Sequence, residues 1–381
     1  MQRTSPFPEP LRQTDRTSVL WRGRKLAYFG GCDYLRLSSH PKVRRAAQAA
    51  LRREGLNVAA SRRTTGNHPL YEDLEEATRI FFGAESAVLI SCGYLTNIAV
   101  AQGLRGKFDR VYIDERAHSS LRDALKFLDC PHTDFRHRDP SDLRKKIAPA
   151  KTRQRIALLT DGLFAREGTR APLAAYREAL GAKAALWVDD AHAAGILGPN
   201  GQGAVEESGL DRRNLIQTVT FSKAFGAYGG AILCSRSLAA AIIAQSSTLL
   251  GNTPLPLPLA AAALQGLELC RSQPSLRQKL FRNIETFWNE LGHAPPALSP
   301  IIAAITKNPE LLKRHLLQAG IHPPFIQYGV ASQRYFRFAL SSEHSREQIK
   351  KLARTLAASR DSPKIILEFT PSPDQLGKGP G

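Results

Sequence analysis

No apolar run in the 381-residue sequence is long enough to cross a bilayer, which excludes a membrane-spanning helix. Residues 1–16 are polar and proline-bearing with no apolar h-region, so no secretory signal is expected. Cysteine is scarce: Cys32, Cys92, Cys130, Cys234 and Cys270 are scattered, odd in number and without metal-ligand spacing. That pattern predicts reduced thiols, a cytoplasmic setting, and neither a disulfide framework nor a metal centre. Internal repeats are absent. Acidic residues are outnumbered, 34 against 53 Lys and Arg, giving a net charge of +19. No RNA-binding signature or basic arm accompanies the excess, and the basic residues are spread along helical segments such as Lys42–Arg45, Arg52–Arg53 and Arg144–Lys146. Solvated helix faces account for the charge, and nucleic acid is not an expected partner. A polyanionic substrate, a coenzyme A thioester or an acidic acyl carrier protein, is the secondary reading.

What is present is a long α/β pattern. Apolar runs at Ala87–Ile90, Arg110–Ile113, Arg155–Leu159, Ala185–Val188, Thr218–Phe221 and Ala231–Cys234 alternate with helical stretches, as in a mainly parallel sheet. Val19 to Tyr28 alternate around Arg22-Gly23-Arg24, a hairpin signal, and residues 1–17 look disordered. Helices are expected over Pro41–Leu51, over Pro69–Phe82 with Gly83 as the stop, and from near Leu259 after the proline-rich Thr253–Pro258. Pro295, Pro296 and Pro300 mark the way into a smaller unit ending near Phe369.

Two runs end in chemistry. Ala185–Val188 leads into Asp189-Asp190-Ala191-His192, and Ile216–Phe221 leads into Ser222-Lys223. In open α/β sheets, ligands bind at the C-terminal ends of strands. A carboxylate, an imidazole and a lysine delivered there suit pyridoxal 5'-phosphate: the lysine for a Schiff base, the carboxylate to keep the pyridine nitrogen protonated.

Motifs in fixed order then carry a resemblance. YLRLSSHP (34–41), SRRTTGNHPLYEDLE (61–75), SCGYLTN (91–97), ERAHS (115–119), the segment Thr160–Gly168, DDAHAAGILGPNGQG (189–203), TFSKAFG (220–226) and Phe336–His344 follow one another. Together they resemble the α-oxoamine synthases, over roughly residues 25–358. These are fold-type I pyridoxal-phosphate transferases that condense an amino acid with an acyl thioester and release carbon dioxide. The resemblance implies an aspartate aminotransferase-like α/β large domain with a mainly parallel sheet and a smaller α+β C-terminal domain. The expected division is 1–43 as an N-terminal segment, 44–272 as the cofactor-binding domain, 273–370 as the small domain and 371–381 as a mobile tail.

Residue by residue, Lys223 resembles the Schiff-base lysine, Asp189 the partner of the pyridine nitrogen, His192 the group bonded to the ring phenolic oxygen, and His118 the stacked histidine. Asp190 is taken as a neighbour without that role. Gly93 and Tyr94 would give backbone amides to the phosphate, and Thr220 and Ser222 hydroxyls. Thr253 resembles a threonine that reaches the phosphate of a neighbouring subunit, which implies a homodimer. Arg337 resembles the arginine that holds the amino-acid carboxylate. This chain departs from the family pattern at Cys32, where an asparagine is usual, at Asp161 for glutamate, at Ala165 for serine, at Tyr71 for histidine, and at Tyr335, where arginine is frequent. The expected substrates are an amino acid and an acyl-CoA or acyl-carrier-protein thioester, with no membrane partner. Three alternatives stay open: a sister synthase with another acyl pocket, a pyridoxal enzyme of another reaction class such as an aminotransferase or lyase, and a non-catalytic relative that binds through its dimer surface.

Overall fold

The structure, a computed structural model, describes residues 7–148, 154–327, 334–359 and 365–367. The expectations for residues 1–6 and for the tail 371–381 lie outside the described residues. The chain divides into two compact units: residues 35–165 with 169–277, and residues 1–34 with 166–168 and 278–381.

The first unit is built on a seven-stranded sheet. Its order across the sheet is Ser86–Ile90, Gly230–Cys234, Leu215–Thr220, Ala185–Asp189, Ile156–Asp161, Arg110–Asp114 and His132–Phe135. The last five run parallel. The Leu215–Thr220 strand is buried at every position, and Ala185–Asp189 at all but its first. Burial on both faces explains the apolar stretch Ala185–Val188, and the polar Gln217 and Thr218 within the other strand are hydrogen-bonded. Val88, Ile113, Leu159, Trp187, Ile216 and Ile232 from the sheet pack with Val100, Leu121, Leu128 and Ile242 from the helices.

One strand runs against the expected alternation. Gly230–Cys234 is antiparallel to both neighbours. Only residues 221–229 link it to Leu215–Thr220, too short for a parallel crossover. The link is tight, with Phe221 N–H donating to Gly229 O (2.9 Å) and Gly226 N–H to Lys223 O (3.0 Å). Lys223 therefore stands on a stiff turn rather than on a helix. Strand His132–Phe135 was not expected from the sequence. It is an edge strand that buries only Phe135, so it needs little apolar character.

In the second unit, Ser18–Trp21 pairs with Arg24–Ala27 as the predicted hairpin. Arg12–Gln13 adds a short third strand, which corrects the expectation of disorder through residue 17. Ala27 bridges Ile321, with Ala27 N–H donating to Gly320 O and His322 N–H to Ala27 O. By these contacts the N-terminal residues group with the C-terminal part of the chain. A four-stranded antiparallel sheet orders Phe325–Gln327, Arg334–Ala339, Ile301–Thr306 and Ile365–Leu367. Helices Pro309–Gln318 and Arg346–Ala358 pack in the same unit.

Candidate active site

Four adjacent parallel strands of the first unit end in polar residues: Asp114, Asp161, Asp189 and Thr220. A cavity of about 330 Å3 opens at these ends. It brings together Gly93, Tyr94, His118, Asp161, Asp189, His192, Thr220, Ser222 and Lys223. Thr253, the remaining residue expected at the cofactor, does not line it and is exposed to solvent.

At one end, helix Gly93–Gly103 begins at the cavity wall. No side chain caps its first amides, which leaves an anion-binding terminus. Thr220 and Ser222 stand beside it with their hydroxyls 2.6 Å apart. Gly93 is required by that approach, because a Cβ there would meet Thr220 Oγ1 at 2.7 Å. The Tyr94 ring turns outward, its hydroxyl donating to Asp123, and its edge faces the His118 ring at 6.1 Å.

His118 is the N-cap of helix Ser119–Leu128, its Nδ1 accepting from Ser120 N–H (3.2 Å). Its own backbone N–H donates to Asp161 Oδ2 (2.8 Å). Asp161 and Asp189 are register partners on adjacent strands. Burial, and then the charge of Asp189, push the Asp161 carboxyl well above the usual carboxylate range. Asp189 instead collects donors: Asn97 Nδ2 at 2.6 Å, Ala191 N–H at 3.1 Å and Ser120 Oγ at 3.4 Å. Asp190 turns to the opposite side of the chain, as alternation requires, and accepts from Gln217 Nε2 (2.7 Å) and Ala204 N–H (3.2 Å). Burial raises its carboxyl to about 7.

The expected carboxylate-binding pair lies in the second unit. There Arg337 Nη2 donates to Cys32 Sγ at 3.2 Å, joining residues 305 positions apart. Arg337 Nε is buried with no hydrogen-bond partner among the described residues. Burial opposes the charge of Arg337, but Cys32 and Tyr34 beside it outweigh burial and hold its pKa above the ordinary value. Burial, then Cys32, pushes the Tyr34 phenol up. The Tyr335 ring receives the Arg166 guanidinium at 5.5 Å.

Ser120, Cys92, Ala191 and Tyr228 also line the cavity and were not singled out in the sequence. Ser120 follows His118 by two positions and Tyr228 lies on the lysine turn, but neither sits at a recognisable motif position. The donor set fits pyridoxal 5'-phosphate. Free helix amides, two hydroxyls and a lysine suit a phosphate and an aldehyde, and a carboxylate held by N–H donors suits a protonated ring nitrogen.

The chain matches the family Aminotransferase class I and II over residues 26–356. It is 36% identical over 358 residues to the 8-amino-7-oxononanoate synthase of Methylocella silvestris, covering 91% of this chain and 99% of that one. To the enzyme of the same name from Beijerinckia indica it is 36% identical over 362 residues, covering 91% and 92%. Among solved structures, Sphingomonas wittichii serine palmitoyltransferase superposes with a TM-score of 0.86 at 25% identity, covering 93% of this chain and 92% of that one. The 8-amino-7-oxononanoate synthase of Francisella tularensis has the same fold, with a TM-score of 0.76 at 24% identity and coverage of 88% and 98%. The chain belongs to the aminotransferase class I and II family and, within it, to the α-oxoamine synthases.

Proposed function

We propose that this chain is a pyridoxal-phosphate-dependent C-acyltransferase, an 8-amino-7-oxononanoate synthase that condenses alanine with a pimeloyl thioester and releases carbon dioxide and the thiol, a step of biotin biosynthesis. The observation that carries this reading is the 36% identity to two enzymes of that name over nine-tenths of the chain, joined to a cavity with a complete cofactor donor set. The cofactor, when bound, supplies an electron sink for the carbanion formed at the amino-acid Cα.

The residues then have these tasks. Lys223 Nζ would hold the cofactor and would serve as the base for the amino-acid Cα proton. Backbone hydrogen bonds brace the turn from which its side chain departs. Asp189 would hold a proton on the ring nitrogen, His192 would bond the phenolic oxygen, and His118 would cover the ring face. Asp161 bears on the ring site through the His118 backbone. The first amides of helix Gly93–Gly103, at Gly93 and Tyr94, hold the phosphate with Thr220 and Ser222. Thr253, exposed in the single chain, reaches the phosphate of a second copy in a homodimer. Arg337, with an unmatched N–H, takes the amino-acid carboxylate beside Cys32. The thioester is carried by coenzyme A or an acyl carrier protein, and the enzyme works in the cytoplasm.

The test has two parts. Borohydride reduction of the loaded protein should attach the pyridoxyl group to Lys223, and the visible band should vanish in Lys223→Ala; labelling of another lysine overturns the assignment. Incubation with pimeloyl-CoA should release thiol and carbon dioxide with alanine in preference to glycine or serine. A preference for glycine with a short acyl thioester would instead favour glycine C-acetyltransferase or another α-oxoamine synthase, the reading that Cys32 keeps open. Loading without any turnover would favour a non-catalytic relative.

A further inference from the structure

Asn97 does not line the cavity, yet its amide is bonded to the groups that do. The residue is fully buried. Trp187 Nε1, which can only donate, approaches Asn97 Oδ1 at 3.0 Å, and Thr218 Oγ1 donates to the same oxygen at 2.9 Å. The amide nitrogen therefore faces the other way, donating to Asp189 Oδ2 at 2.6 Å and to Ser120 Oγ at 2.8 Å. These four bonds use the capacity of the amide. Turning it over would set oxygen against carboxylate and N–H against the indole N–H, so only one orientation survives.

We propose that Asn97 is a positioning residue for the Asp189 carboxylate: Trp187 locks its amide so that it can only donate to Asp189, and Ser120 extends the hold to the His118 ring. Ser120 Oγ lies 2.8 Å from His118 Nδ1 and 3.4 Å from Asp189 Oδ2, so one hydroxyl links the residues on which the ring is to lie. The other ionisable groups at the same cavity are Cys92, Tyr94, Asp161, His192, Lys223 and Tyr228, and the Asn97 amide bonds go to none of them. The inference rests on the reading of Asp189 as the partner of the ring nitrogen.

Asn97→Leu keeps the heavy-atom count and branching of the side chain, with greater bulk, and removes all four bonds. In the loaded full-length protein it is expected to weaken pyridoxal phosphate binding, measured by dialysis, by about tenfold or more. It should also move the pH midpoint of the visible band by roughly half a unit or more. Ser120→Ala is expected to shift the midpoint less. Should Asn97→Leu not fold, Trp187→Phe, which removes the N–H that sets the amide, carries the same expectation. A folded variant with lower thermal stability but the parent's affinity and midpoint reduces Asn97 to packing and overturns the proposal. Asp189→Asn separates the two levels. If it leaves the band unchanged, the reading of Asp189 fails; if it alters the band while the Asn97 and Trp187 variants do not, this inference alone fails.

Discussion

Asp161 and Asp189 end neighbouring parallel strands as register partners, yet their surroundings differ. Asp189 receives N–H donors from Asn97 and Ala191, which favour a carboxylate. Asp161 is buried against Asp189, accepts from the His118 backbone N–H, and its carboxyl is pushed well above the usual range. The Asn97, Ala191 and Ser120 donors thus gather on Asp189, the point proposed to face the ring nitrogen.

Replacing that point is the most direct test. Asp189→Asn should still take up pyridoxal phosphate, because the phosphate donors are untouched. Turnover should fall by roughly a hundredfold or more, since a neutral amide no longer favours a proton on the ring nitrogen. Near-normal rates, measured by thiol release, would remove Asp189 from its role.

Gly93→Ala probes the other end of the cavity. The added methyl would meet Thr220 Cβ and Oγ1 at 2.7 Å, a contact that something must relieve. Pyridoxal phosphate affinity should drop by about tenfold, with a smaller effect on the melting temperature of the cofactor-free protein. Unchanged affinity would argue that the phosphate binds elsewhere.

Asp190 makes the stability of the fold depend on pH. Its carboxyl is raised from 3.8 to about 7 by burial, so folding favours its protonated form. The stabilisation is complete below pH 3.8 and is lost as pH rises through about 7. The shift corresponds to roughly 4 kcal/mol at most. Asp190→Asn should flatten this slope, at a cost of about 1 kcal/mol for a mismatched hydrogen bond. Urea denaturation of both proteins at pH 5 and pH 8 checks it: the gap between them should shrink or reverse at pH 8.

The Cys32–Arg337 contact offers a test of the proposed amino-acid pocket. A thiol is a weak donor, and a missing hydrogen bond to a charged group costs about 1.5–3 kcal/mol, or ten- to a hundredfold in binding. Cys32→Asn is expected to tighten amino-acid binding and Arg337→Ala nearly to abolish it, followed by the change of the visible band on titration. If Cys32→Asn binds glycine, alanine and serine no better than the parent, the pocket is shaped for another ligand.

Much of this was readable along the chain. The buried strands Ala185–Asp189 and Leu215–Thr220 show themselves as mainly apolar runs, and the polar residues at and after their ends mark where the strands stop. Asp189, His192 and Lys223 could be named before any coordinates. The direction of Gly230–Cys234 was missed because it depends on the length of the Lys223 turn, not on apolar pattern. His132–Phe135 was missed because an edge strand with one buried side chain has no such pattern. Asn97 stood inside a recognised motif, but its partners, Trp187 and Thr218, come from two other strands, and no local spacing announces them.

The composition of the two units also orders events in time. One unit lies wholly within residues 35–277, a stretch from which only 166–168 are missing, so it can close while the chain is still being made. The Ser18–Ala27 hairpin is synthesised first but docks last, because its bridge partner Ile321 is among the late residues. The earliest part of the chain must therefore wait, with the apolar side chains of Val19 and Leu26 uncovered, for the end that completes it.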